Sequence, residues 1–317
     1  MTKALKVVFF GTPDFAVSAL EHIVNSQHQV VGVVTVADKA SGRGQKINQS
    51  AVKQYALNQN LPIFQPEKLK DESFLQSMQA LEADVFVVVA FRMMPKVLYS
   101  MPQHGTFNLH ASLLPDYRGA APINYAIING ETSTGVTSFL IDEQMDTGNI
   151  LLQEPMAILP EDNAGTLHDK LMILGGKTVV KTLDALAQGH LKAQPQKAVD
   201  PAKMAKKIFK EDCQINWQTS GESIHNLVRG LSPYPVAFTH LLVDGQRKSL
   251  KIQAGLFEET EHQEAIGQLL INKKSCAIYV KGGLYHLLHL QLEGKKAMPV
   301  KDFLNGFKSF EGIELEL

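Results

Sequence analysis

The sequence predicts an α/β protein in two parts, on three observations. Short apolar runs alternate with amphipathic stretches through the first half, the pattern of a mostly parallel sheet covered by helices. A polar, basic stretch holding Pro195 and Pro201 then interrupts the chain. Beyond it, short alternating segments separated by turn formers describe a small β-barrel. With 317 residues the chain is long for one domain and comfortable for two. The expected division is a first domain over residues 1–189, a basic linker over 190–208 and a barrel over 209–317.

In the first domain, Lys6 to Phe10 and Gln29 to Thr35 read as strands rich in Val and Phe. Between them, Thr12-Pro13-Asp14 makes a helix start: a hydroxyl at the N-cap, proline in the first turn and a carboxylate near the positive helix end. Asp84 to Ala90 is almost continuously apolar, as a strand is when both faces are covered. Phe107 to Ala111 and Val136 to Ile141 continue the sheet, and residues 164 to 188 form a long helix ending near Gly189. The order is Rossmann-like. Residues 36 to 49 read as a long loop after the second strand.

In the second domain the strands are Val236 to Val243, Leu250 to Ala254, Gly267 to Ile271, Cys276 to Val280 and Tyr285 to Leu292. Asp244-Gly245 and Gly282-Gly283 supply turns between them. An OB-like barrel fits, with a helix over Gly221 to Gly230 near its start.

Composition narrows the function classes. A hydrophobic fraction of 44% is ordinary for a globular protein, and no apolar run reaches the length of a membrane span or signal peptide. Cys213 and Cys276 stand alone, so neither a disulfide framework nor a zinc site is supported, and a reducing cytoplasm fits. Gly11-Thr12-Pro13-Asp14 follows the first strand where a dinucleotide fingerprint would lie, yet Gly-x-Gly-x-x-Gly is missing. Gly42-Arg43-Gly44 is no Walker loop, and no His-Glu-x-x-His occurs. Nicotinamide, nucleotide and metal chemistry are all disfavoured.

The reactive candidates lie on the strand that holds Asn108-Leu109-His110. Positions two apart on a strand share a face, so Asn108 and His110 look out together while Phe107 and Leu109 point behind. Burying an amide and an imidazole costs a few kcal/mol unless both are hydrogen-bonded or put to use. Downstream, Asp146-Thr147-Gly148 supplies a carboxylate that can meet the imidazole. Asn, His and Asp together read as an oxyanion donor, a proton carrier and its orienter, an acyl-transfer set. A lone His on an apolar strand is more often a satisfied core residue, and the combined spacing is what shifts the balance.

Two further features stay open on the residues alone. The loop over 36 to 49 holds Arg43 between glycines, which suits a swing onto a phosphate or terminal base, and equally suits a flexible surface loop. From residue 190 onward, Lys and Arg outnumber Asp and Glu by 17 to 14, although the whole chain carries a net charge of −1. The stripe of Lys192, Lys197, Lys203, Lys206, Lys207 and Lys210 fits a phosphate backbone or a solvated linker.

Taken together, Asn108-x-His110, Ser112-Leu113-Leu114-Pro115, Tyr117-Arg118-Gly119-Ala120-Ala121-Pro122 and Asp146-Thr147-Gly148 resemble the folate-dependent formyltransferases. Phe10-Gly11-Thr12-Pro13-Asp14-Phe15-Ala16, the Gly42-Arg43-Gly44 loop and the basic second domain resemble the branch that acts on aminoacylated tRNA, over essentially the whole chain. The resemblance implies that 10-formyltetrahydrofolate gives its formyl group to the amino group of methionine on initiator tRNA. It implies that His110 manages protons, that Asn108 donates to the tetrahedral oxyanion and that Asp146 fixes the imidazole's tautomer and stabilises its charged form. Ser112, Leu113, Leu114 and Pro115 would line the folate site, with Phe91 and the backbone near Ala90 meeting the pterin. Arg43 would enter the acceptor-stem region, and Lys206, Lys207 and Lys210 would contact phosphates. For Trp217 and Tyr234, which are possible stacking platforms, core packing is expected. No metal and no protein partner are implied, and a monomer is expected.

Some positions depart from that pattern. Where the family commonly reads Pro-Asp-Arg-Pro-Ala-Gly-Arg-Gly, this chain has Ala37-Asp38-Lys39-Ala40-Ser41-Gly42-Arg43-Gly44. Ala90-Phe91-Arg92 stands where many members have Ala-Tyr-Gly. Rival readings keep the chemistry and change the acceptor to an amino sugar or a nucleotide amine, or hydrolyse formyltetrahydrofolate. An inactive RNA-binding module is the alternative from another class. The first three leave the catalytic set intact, and all but the RNA module leave the basic barrel unexplained.

Overall fold

The computed structural model describes residues 4–41, 46–307 and 309–316, and its contacts divide the chain into two compact units. The first comprises Met1–Pro122, Ser133–Ala157 and His168–Met204; the second comprises Ile123–Thr132, Ile158–Leu167 and Ala205–Leu317.

The chain opens with β1 (Lys6–Gly11), α1 (Asp14–Val24) and β2 (Gln29–Val34), then a small hairpin of β3 (Lys39–Ser41) and β4 (Lys46–Asn48). It continues through α2 (Ala51–Asn58), β5 (Ile63–Phe64), α3 (Glu72–Ala80), β6 (Val85–Val89) and α4 (Lys96–Tyr99). Then come β7 (Thr106–His110), α5 (Pro122–Ile128), β8 (Ser133–Leu140), β9 (Ile150–Ala157) and the long α6 (Ala164–Ala187).

Seven strands form one sheet in the order β5-β2-β1-β6-β7-β8-β9. The first five run parallel; β8 runs antiparallel to them, and β9, antiparallel to β8, returns to the first direction. Every residue of β6 is buried, as expected of a strand covered on both faces. Chain order reverses between β1 and β6, since β2 and β5 build outward on one side and β7 on the other. Such a switch point leaves a crevice beyond the carboxyl ends of the two strands, which is where open α/β sheets bind ligands.

Two local expectations changed. The first helix starts at Asp14 with Pro13 at the N-cap and no side-chain cap, so Thr12 lies one residue outside the capping position. The segment 36 to 49 is not loop throughout: β3 and β4 pair antiparallel within it, Lys39 opposite Asn48. Arg43 lies outside the described residues.

The second unit holds α7 (Gly221–Gly230), β10 (Ala237–Val243), β11 (Gln246–Glu259), β12 (Leu269–Ile271), β13 (Cys276–Val280), β14 (Gly283–Leu292), β15 (Met298–Pro299), α8 (Val300–Leu304) and β16 (Ile313–Glu316). They make a nearly closed antiparallel barrel, ordered β12-β13-β14-β11-β10-β16, with β15 on β14. β11 bends at a register shift around Ile252 to Gly255, which lets one long strand turn a barrel corner. Asp244 and Gly245 carry positive φ of 51° and 74°, the two-residue turn expected of Asp-Gly. The core gathers Trp217, Ile224, Leu250, Ile278, Tyr285 and Leu290.

Candidate active site

Strand β7 delivers two polar side chains to one face of the sheet. Leu109 points to the other face, where its side chain fills the space over Gly175 of α6. Ser138, the register partner of Leu109, also points there and meets Thr182 at 2.8 Å. Asn108 and His110 therefore face away from α6, together with Thr137, the register partner of His110. Asn108 is half-buried, with its Oδ1 enclosed and without a hydrogen-bond partner among the described residues. Leaving such an atom unpaired costs about 1–3 kcal/mol, so this amide is held for something other than stability.

Asp146 reaches His110 by an indirect route. Because β8 is antiparallel to β7, its carboxyl end lies beside the start of β7, where Ile141 N–H donates to Thr106 O at 2.8 Å. The loop over 141–149 must then travel back about 10 Å along the sheet, three residues of strand, to bring its carboxylate to the imidazole. It does so with Asp146 in the left-handed region at φ 57°, a conformation that L residues hold only when their surroundings enforce it. Gly148 fits beneath this turn because it lacks a side chain: a Cβ there would sit 1.7 Å from Leu140 O. The Asp146 carboxylate accepts from Gly119 N–H at 3.0 Å, and its Oδ2 stands 3.9 Å from His110 Nδ1.

At 3.9 Å there is charge contact and no hydrogen bond. The imidazole is held from its other nitrogen, 2.8 Å from Tyr117 O. A carbonyl only accepts, so Nε2 carries the proton and Nδ1 is the nitrogen left to exchange one. The tautomer that the sequence reading assigned to Asp146 is thus set by a backbone carbonyl. Tyr117 itself has φ 60° and is buried.

Ser112 and Leu114 lie inside the loop that carries Tyr117. Ser112 is fully buried and its hydroxyl donates to Asp116 O at 2.6 Å. Thr137 Oγ1 donates to Ser112 O and accepts from Leu114 N–H, while Gln153 Nε2 donates to Leu114 O. The side chains of Ser112, Thr137 and Gln153 brace the loop; Leu113 and Pro115 keep partly exposed faces. Ala90, at the exposed end of β6, has φ 47°, and Phe91 lies edge-on to Phe10 with centroids 5.7 Å apart. Arg92 folds over the Phe91 ring and donates to the carbonyls of Pro66 and Glu67.

In the second unit Lys206, Lys207 and Lys210 are all exposed. Phe209 among them is 57% exposed, with Lys207 Nζ 5.4 Å from its ring centroid. Trp217 is buried as expected, and its Nε1–H donates to Thr239 Oγ1. Tyr234 reverses the expectation of core packing: it is 82% exposed, on the turn between α7 and β10. Sequence spacing could not show this, because an aromatic between two prolines has no periodicity to assign it a face. Two other contributors had no sequence signal at all: the Tyr117 carbonyl, and Gln196, whose Nε2 donates to the carbonyls of Asp146 and Gly148.

A formyl transferase family model matches residues 5–183, and its C-terminal domain counterpart matches 207–308. The chain belongs to the formyl transferase family. A methionyl-tRNA formyltransferase of Flavobacterium johnsoniae is 54% identical over 303 residues, covering 95% of this chain and 96% of its own length. One from Bacteroides thetaiotaomicron is 47% identical, covering 98% of both. Among solved structures, an N-formyltransferase from Helicobacter canadensis, in complex with folinic acid and dTDP-3-aminofucose, aligns with a TM-score of 0.65 at 21% identity. It covers 89% of this chain and 98% of its own, a likeness of fold.

Proposed function

We propose that this chain transfers the formyl group of 10-formyltetrahydrofolate to the amino group of methionyl initiator tRNA, for translation initiation. The observation that carries the chemistry is the buried imidazole held through Nε2 by Tyr117 O, its Nδ1 facing the Asp146 carboxylate on the sheet face of Asn108. The acceptor rests on the near full-length relatives named for it.

In the reaction the methionine amine attacks the formyl carbon, a tetrahedral oxyanion forms, and the bond from carbon to the folate N10 breaks. The amine loses one proton and N10 gains one, so the proton count balances. His110 Nδ1 takes and returns that proton. Once protonated, the ring has a donor on both nitrogens, and Asp146 stabilises the positive charge from 3.9 Å. Asn108 donates from Nδ2 to the oxyanion, a contact formed only as the charge develops. The folate occupies the crevice beyond β1 and β6, against Ala90, Phe91 and the loop Ser112, Leu113, Leu114, Pro115, which the Ser112 hydroxyl and the Leu114 backbone hold in place.

Residues 1–189 then supply the catalytic domain and 209–317 a tRNA-binding barrel, with Arg43, Lys206, Lys207 and Lys210 contacting the tRNA. The test is formyl transfer from 10-formyltetrahydrofolate to methionyl initiator tRNA by wild type and His110→Ala. Transfer by wild type that is lost with His110→Ala is expected. Formylation of an amino sugar nucleotide instead, or release of free formate, overturns the acceptor assignment.

A further inference from the structure

The stretch after α6 reads as linker in the sequence, yet its side chains reach the machinery around His110. Gln194 forms a bridge with Ile150, N to O 2.7 and 2.8 Å in the two directions. Two residues on, half-buried Gln196 turns inward, its Nε2 donating to Asp146 O at 3.0 Å and Gly148 O at 2.7 Å. Its Oε1 accepts two bonds from Arg118, through Nε at 3.0 Å and Nη2 at 2.5 Å. Arg118 adjoins Tyr117, and Lys203 O accepts from Tyr117 N–H while Lys203 Nζ pairs with Asp116 at 2.9 Å.

We propose that residues 194–203 form a strap that sets the position of both groups flanking the imidazole, and that Gln196 is the positioning residue for Asp146. The inference rests on the proposed roles of His110 and Asp146. Its physical basis is the left-handed backbone at Asp146, which persists only where neighbours over-determine it. Gln196 supplies that constraint by binding the carbonyls on either side of Thr147. Each of its polar atoms is used, and Arg118 holds it by a planar, two-point donor that admits little rotation. Released from the clamp, the turn relaxes, and the carboxylate leaves its 3.9 Å station beside Nδ1. Asp146 is the charged group facing that nitrogen from the loop; behind Tyr117 lies the Lys203–Asp116 pair.

The decisive experiment uses the full chain carrying Gln196→Met, which keeps volume and removes the polar atoms, and Gln196→Glu, which keeps Arg118's partner and turns the donor into a carboxylate oxygen facing the two carbonyls. Each is made alone and with Asp146→Asn. Measured are kcat, KM for both substrates, thermal stability, and the NMR chemical shifts of the His110 ring. With Asp146 present, both variants should lower kcat about tenfold or more, since an ångström of misplacement commonly costs that much, with each KM within roughly twofold. The His110 ring signals should shift as the carboxylate withdraws. With Asp146→Asn, neither quantity should move further. An equal kcat loss in both backgrounds, or a drop in thermal stability with kcat and the His110 ring signals unmoved, overturns the strap. Full activity for Asp146→Asn alone would instead sink the reading of the site on which the strap depends.

Discussion

Asn108 and His110 are alike in sequence terms, polar residues on an apolar strand, and unlike in how the structure treats them. His110 is paired on one side and faces charge on the other, whereas Asn108 has an enclosed oxygen with no partner. Asn108→Ala should therefore cost little or no stability while raising the transfer barrier by about 3 kcal/mol, a hundredfold or more in kcat. Steady-state kinetics beside a denaturation curve separates the two effects, and parallel losses would argue against an oxyanion donor. Cys276 makes the opposite case. Burial pushes its thiol up to about 12, so the neutral form dominates at any ordinary pH. Iodoacetamide at pH 8 should leave it unlabelled in the folded protein and label it promptly in denaturant. Because the folded pKa lies above the unfolded one, this group's contribution to stability is present below about pH 8.5 and declines as pH rises toward 12.

Elements were legible wherever an apolar pattern had a single reading. Val85 to Val89, Cys276 to Val280 and the helix Gly221 to Gly230 appear where the pattern places them. β9 was not anticipated, because Ile150 to Ala157 is an edge strand with mixed exposure and Pro155 in it, features that weaken a strand signal. In the loop that precedes β9, any side chain on Gly148 would run into Leu140 O. Gly148→Ala is expected to displace that turn and cut formyl transfer at least tenfold, since its Cβ would meet backbone and not a yielding side chain. A kinetic assay with circular dichroism as a folding control checks this. Wild-type rates from a folded variant would show that the turn's position is not critical.

The two units differ in what they present. The first gathers buried polar groups on one sheet face; the second carries Lys206, Lys207, Lys210 and Phe209 in the open. If those lysines meet tRNA phosphates, affinity falls steeply with salt through counterion release. Replacing all three with Ala should reduce the slope of log affinity against log salt by about 2 to 3 and leave KM for the folate unchanged. An unchanged slope would remove these residues from the tRNA surface. Among the described residues no helix is long and apolar enough to cross a membrane.

By itself the sequence determined the alternation of strands and helices and the barrel that follows, supplied the family through motif resemblance, and singled out Asn108, His110 and Asp146 as candidates. The strands, helices and turns are properties of local pattern: period and turn chemistry survive in one dimension because each depends on residues a few positions apart. Only the tertiary structure decided how the set is held. The antiparallel return of β8 sends Asp146 back along the sheet, a backbone carbonyl chooses the tautomer of His110, and Gln196 clamps a turn 50 residues upstream. Backbone acceptors carry no residue signature, and contacts between distant segments exist only after the chain has closed. Tyr234 shows the same limit from the surface, an aromatic whose exposure no local rule reveals.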